Sequence, residues 1–90
     1  MLKKKNEKIM LVYNYIDRFI KANGYSPSYR EISAGVKIKS IADVKAYLEY
    51  LRYWARISYK DSVSRTIRII ADLDYNDIDD IYKRERWSSL

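Results

Sequence analysis

Residues 26–48 read SPSYREISAGVKIKSIADVKAYL and carry two helix starts within 13 residues, at Ser28 and Ser40. Pro27 biases Ser26 away from helical backbone, so a helix begins only after it. Ser28-Tyr29-Arg30-Glu31 matches a capping box, in which the hydroxyl accepts from the N–H three residues on and the carboxylate there reaches back. Tyr29, Ile32 and Val36 share one face of the short helix this opens, over residues 28–35, and Gly35 sits where it must stop. Residues 36–39 are a tight connector. Ser40-Ile41-Ala42-Asp43 repeats the hydroxyl-to-acid start and opens a helix over residues 41–54, with Ile41, Val44, Tyr47, Leu48 and Leu51 inward. Two helices across so short a turn make a helix-turn-helix.

Upstream, Ile9, Val12, Tyr13, Ile16, Phe19 and Ile20 trace one helical face within residues 6–22, with Asn6 as cap and Asn23-Gly24 as left-handed stop. Downstream the period changes to two. Ile57 and Tyr59 alternate with Arg56, Ser58 and Lys60, and Ile67 and Ile69 alternate with Thr66 and Arg68. The polar loop Asp61-Ser62-Val63-Ser64 joins them as an antiparallel hairpin. The order predicts a mainly α fold: a three-helix winged helix-turn-helix with a two-stranded β-wing, over residues 1–71. Residues 72–90 form a separate segment with a C-terminal helix over residues 75–87, whose apolar stripe is Tyr75, Ile78, Ile81, Tyr82 and Trp87. That stripe either folds back on the body or packs against a second copy. Asp72-Leu73-Asp74-Tyr75-Asn76-Asp77 imitates the start of a calcium loop, but Asp77 replaces the required glycine and Lys83 the final glutamate, so no metal is expected.

Ninety residues hold one small domain. With neither cysteine nor histidine, disulfides, thiolate metal sites, thiol nucleophiles and the usual general base are excluded together, and no enzyme is expected. Residues 1–71 carry 15 basic and 6 acidic side chains, whereas residues 72–90 carry 3 and 6. A basic body on so small a domain points to a polyanion, most often nucleic acid. No apolar run approaches the ~20 residues of a membrane span. The basic start Met-Leu-Lys-Lys-Lys lacks the apolar core and cleavage site of a leader, so a cytoplasmic chain is expected. Of ten tyrosines, Tyr13, Tyr29, Tyr47 and Tyr59 fall on core faces, while Tyr50 and Tyr53 are expected to be exposed.

Gly24-Tyr25-Ser26-Pro27-Ser28-Tyr29-Arg30-Glu31-Ile32, followed by Ser40, Val44, Leu48, Leu51, Ile57, Arg65, Ile67 and Ile69, resembles the LexA DNA-binding domain family from about residue 7 to residue 70. The resemblance implies a three-helix bundle with a two-stranded wing. It also implies that the helix from Ser40 enters the major groove while the wing lies along the backbone or minor groove. Where the family usually has glycine, this sequence has Lys37 in the connector and Ala55 before the wing, so both turns lack a residue free to be left-handed. Its groove-facing stripe also differs from the polar and acidic set of well-known members. Those members continue into a self-cleaving serine–lysine protease domain that dimerises them. With the sequence ending at Leu90, the expectation is a regulator without autoproteolysis, of a size that suits phages and mobile elements.

The base-reading candidates are Ser40, Ala42, Asp43, Lys45, Ala46 and Glu49. The short Ala42 and Ala46 let backbone approach base edges and thymine methyls, Lys45 can donate to guanine, and Asp43 or Glu49 can accept from cytosine. The plain alternative is a solvated helix face. For the DNA backbone, Ser28 offers a hydroxyl and helix-start N–H groups, or is a cap alone. Lys37, Lys39, Lys60, Arg65 and Arg68 surround the reading helix as phosphate contacts, or serve solubility. Lys3, Lys4 and Lys5 are either a basic arm or a frayed end. The expected function is a sequence-specific, double-stranded DNA-binding transcriptional regulator, a repressor that occludes a promoter without any cofactor. The rival is a protein-binding module that inhibits another protein. One half-site buries little surface, so a homodimer through Tyr75, Ile78, Ile81, Tyr82 and Trp87 on a two-fold site is expected.

Overall fold

A computed structural model describes the backbone of residues 2–73, with side chains from Asn6 onward. The order is α1 (Leu2–Asn23), α2 (Tyr29–Val36), α3 (Ile41–Tyr53), β1 (Ile57–Ser58) and β2 (Arg68–Ile69). This is the winged helix-turn-helix that the sequence predicts. The stripe at Tyr75, Ile78, Ile81, Tyr82 and Trp87, with its C-terminal helix, lies outside the described residues.

Helix α1 starts at Leu2, so Asn6 is an interior residue and not the cap expected of it. The preceding Leu-Lys-Lys-Lys run consists of good helix formers, which carry the helix through Asn6. At the other end Gly24 takes φ +78° and donates its N–H to the Ile20 carbonyl at 2.8 Å, closing α1 as expected. The capping box of α2 is complete: Ser28 Oγ accepts from the Glu31 N–H at 3.2 Å, and Glu31 Oε1 accepts from the Ser28 N–H at 2.8 Å.

Gly35 does not stop α2. The helix runs one residue further, and the left-handed position falls to Lys37 at φ +58°. The Ile38 N–H donates to the Ser33 carbonyl at 3.0 Å, the long hydrogen bond of a Schellman close. Gly35 serves packing instead, because a Cβ there would lie 2.1 Å from Cε2 of the Tyr15 ring. Helix α3 ends in the same way. Ala55 at φ +57° is its left-handed residue, with Arg56 N–H on Leu51 O at 3.0 Å and Ala55 N–H on Arg52 O at 2.9 Å. Both glycine-lacking turns therefore keep the left-handed geometry, at a cost of about 1–2 kcal/mol per residue relative to an unstrained backbone.

The three helices enclose one core, in which Ile9, Val12, Ile16, Ile32, Val44, Leu48, Leu51 and Ile57 are wholly inaccessible to solvent. Each such side chain contributes about 1.5–3 kcal/mol on leaving water. Leu73 is also buried, and the Ala71 carbonyl accepts from the Tyr13 hydroxyl at 3.2 Å, so the packed body runs slightly past residue 71. Tyr29, Tyr47 and Tyr59 pack against the core and stay half-buried. Tyr50 does so too, against expectation, with its ring centroid 6.0 Å from that of Trp54. Tyr53 is solvent-exposed.

The hairpin pairs Ile57 with Ile69 and Ser58 with Arg68, antiparallel, and its ladder is shorter than the alternation suggests. Side chains replace the missing rungs. Thr66 Oγ1 accepts from the Lys60 N–H at 2.9 Å and donates to Val63 O at 3.0 Å. The Ile67 N–H donates to Ser26 Oγ at 3.2 Å rather than to a strand.

Candidate nucleic-acid interface

One face of α3 is buried through Val44, Leu48 and Leu51; the other presents Ala42, Asp43, Lys45, Ala46, Glu49 and Tyr53 to solvent. The helical period and the hydroxyl cap produce this division together. Ser40 Oγ accepts from the Asp43 N–H at 3.2 Å, which fixes the first turn and places Asp43 at the positive end of the helix. Five of the six base-reading candidates thus share one open surface, with half-buried Ser40 at its N-terminal edge. Lys45 is the one with an oriented charge, its Nζ lying 5.5 Å from the centroid of the Tyr29 ring on α2.

The cations expected on the DNA backbone fall into two groups. Lys37, Lys39, Lys60 and Arg68 are exposed and form no ion pair among the described residues. Arg65 is different. Its Nη1 lies 2.9 Å from Glu31 Oε1 and donates to the Ser26 carbonyl at 3.1 Å, and its guanidinium sits 5.1 Å from the centre of the Tyr25 ring. The Arg65 charge is balanced within the fold, and the residue ties the wing to the start of α2. Glu31 receives that charge in addition to the Ser28 N–H, and these hydrogen bonds, Ser28 first, hold its carboxyl below the ordinary value against the opposing effect of desolvation. Ser28 is half-buried, with its Oγ and N–H engaged in the capping box.

A second tie joins the wing to α3. Arg52 Nη1 pairs with Asp61 Oδ1 at 2.8 Å while its guanidinium lies 4.2 Å from the centre of the Tyr59 ring. A third is the buried Ser26, whose Oγ takes the Ile67 N–H. Between the end of α1 and the wing lies an open groove of about 1020 Å³, whose charged lining is Asp17, Lys21, Lys60, Arg65 and Arg68. Among the described residues no three acidic side chains converge as a metal site, and no helix is long and apolar enough to cross a membrane.

The arrangement is an exposed helix face with a pinned wing beside it, and the sequence pattern of the LexA DNA-binding domain matches residues 3–66. The chain belongs to the LexA DNA-binding domain family. Over 70 residues it is 40% identical to the LexA repressor of Clostridium kluyveri, covering 78% of this chain and 35% of that protein. It is 39% identical over 70 residues to the LexA repressor of Acetivibrio thermocellus, covering 78% and 33%. The LexA repressor of Herpetosiphon aurantiacus is 36% identical over 59 residues, covering 66% and 28%. The chain spans about a third of the length of these relatives.

Three connections in this LexA-family domain escaped the sequence reading: Ser26 with Ile67, Glu31 with Arg65, and Arg52 with Asp61. The first spans 41 residues, and no local pattern announces it. The exception is Glu31, whose place in the capping box marked it as a carboxylate held at a helix start.

Proposed function

We propose that this domain binds double-stranded DNA sequence-specifically as the reading unit of a transcriptional repressor. The observation that carries the reading is the exposed α3 face, with Lys37 and Lys39 in the turn before it and Lys60 and Arg68 exposed on the wing, none of the four in an ion pair among the described residues. Family membership supports it, since relatives bear the name LexA repressor. Ala42 and Ala46 would let the helix lie close to base edges, with Asp43, Lys45 and Glu49 supplying donors and acceptors and Ser40 marking the entry. The four cations, with Ser28 at the α2 start, would fix the register on phosphates. Arg65 has a structural part in this scheme, because its partners are internal. A single half-site offers limited area, so pairing of two copies on a two-fold site belongs to the same proposal, with Tyr75, Ile78, Ile81, Tyr82 and Trp87 as the pairing residues. Binding to the operator would exclude polymerase, and no cofactor or chemical step enters.

The test is selection of bound fragments from random DNA, followed by titration of the selected site against salt. Neutralising about 4–7 phosphates gives a log K against log salt slope of about −4 to −6. Lys60→Ala and Arg68→Ala should each reduce that slope by about one and weaken all sequences alike. Arg65→Ala should lower the thermal midpoint instead. Failure to enrich any sequence, or a slope indifferent to both Lys60 and Arg68, refutes the reading.

A further inference from the structure

Among the base-reading candidates Lys45 has a flexible four-carbon stem, and an exposed lysine loses rotamer freedom when it meets a base. In this fold its ammonium is already placed. Nζ lies 5.5 Å from the centroid of the Tyr29 ring, and Tyr29 is rigid for three reasons. It is the first residue of α2, directly after the capping-box Ser28. Its ring packs against the core from a half-buried position. The Ser28–Glu31–Arg65 links clamp its backbone to the wing. The geometry repeats further along α3, where Arg52 lies 4.2 Å from the Tyr59 ring of the wing, but there the cation is already paired with Asp61. Lys45 has no ion pair among the described residues, so its ring-held charge remains available to an outside acceptor.

We propose that Tyr29 is a specificity-determining positioning residue: its ring face holds the Lys45 ammonium over the reading surface, so that one base acceptor is favoured over its alternatives. The inference rests on the DNA-reading function proposed above. A cation on an exposed aromatic face gains little in absolute terms, and a phosphate contact would draw on that gain at every sequence equally. A base-edge contact draws on it only where an acceptor, such as O6 or N7 of guanine, stands within reach, and there the placement becomes discrimination.

The experiment compares wild type, Tyr29→Leu, Tyr29→Phe, Lys45→Ala and Tyr29→Leu with Lys45→Ala, each on the selected site and on its single-base variants. Lys45→Ala should relax preference at one or two base pairs. Tyr29→Leu should relax preference at the same base pairs by about two- to five-fold, or about 0.4–1 kcal/mol at about 1.4 kcal/mol per tenfold, with the salt slope unchanged. Tyr29→Phe keeps the ring face and should retain discrimination, and the double variant should add nothing to Lys45→Ala. In the absence of DNA, proton shifts of the Lys45 ε-methylene should show the ring current of residue 29 in wild type and Tyr29→Phe and lose it in Tyr29→Leu. Loss of preference at different base pairs, a double variant with additive effects, or an ε-methylene shift indifferent to Tyr29→Leu overturns the inference while DNA reading stands. Absence of any sequence preference in the wild type overturns both.

Discussion

Replacement of Gly35 by alanine sets two known effects against each other. Alanine is the better helix former, by about 0.5–1 kcal/mol inside a helix. The new Cβ, however, would lie 2.1 Å from Tyr15 Cε2 and 2.6 Å from its Cζ. Ordinary carbon contacts lie near 3.5–4.0 Å, so the ring has to withdraw by about 1.5 Å. Its path is restricted, because Phe19 stands on its flank at a centroid distance of 5.9 Å and Phe19 in turn meets Tyr25 edge-on at 5.6 Å. Overpacking of this kind costs about 1–3 kcal/mol. The net expectation for Gly35→Ala is a loss of about 0.5–2 kcal/mol, or several degrees at about 4–8 °C per kcal/mol for a domain of this size. With the ring removed by Tyr15→Ala, the same substitution should change sign and stabilise by about 0.5–1 kcal/mol. Urea unfolding of the four chains of this double-mutant cycle measures both numbers and their coupling. Stabilisation by Gly35→Ala in the wild-type background, or equal effects in both backgrounds, refutes the close-approach argument.

The left-handed Lys37 and Ala55 predict gains: Lys37→Gly and Ala55→Gly should each add about 0.5–1 kcal/mol, the relief of left-handed strain less the entropy glycine loses on folding. Thermal unfolding checks this, with Lys37→Ala as the control for lost charge, and a lower midpoint for Ala55→Gly would count against it. The carboxyl of Glu31 lies below its ordinary value when folded, so the stability it contributes is complete above its unfolded value of about 4.3 and lost as pH falls through the lowered one. Glu31→Gln should therefore be less stable than wild type at neutral pH, with the difference in thermal midpoint shrinking on acidification toward pH ~3; a constant difference across that range contradicts the account of a carboxylate held first by the Ser28 N–H and then by Arg65.

The helices, and the face that each buries, can be read from the order of residues alone. These features depend on interactions within three or four residues: Ser28 with Glu31, Ser40 with Asp43, and the apolar spacing from Ile9 to Ile16 and from Val44 to Leu51. The exposed face of α3 can be read in the same way, since the opposite side of an amphipathic helix follows once the buried side is known. Features that depend on distant neighbours emerge only in the folded chain. Gly35 looked like a stop, because the need of the Tyr15 ring for its space is invisible along the chain. Asn6 looked like a cap, because a local cap signal does not override good helix formers on both sides. Along the chain Arg65 is one cation among several, and only folding places Glu31, the Ser26 carbonyl and Tyr25 around it. The same holds for the wing, whose two-residue strands owe their position to Ser26, Thr66 and Asp61 as much as to their own pairing. Local hydrogen bonding and periodicity are written in the order of residues; the balance of a charge and the space beside a glycine depend on what the rest of the chain brings near.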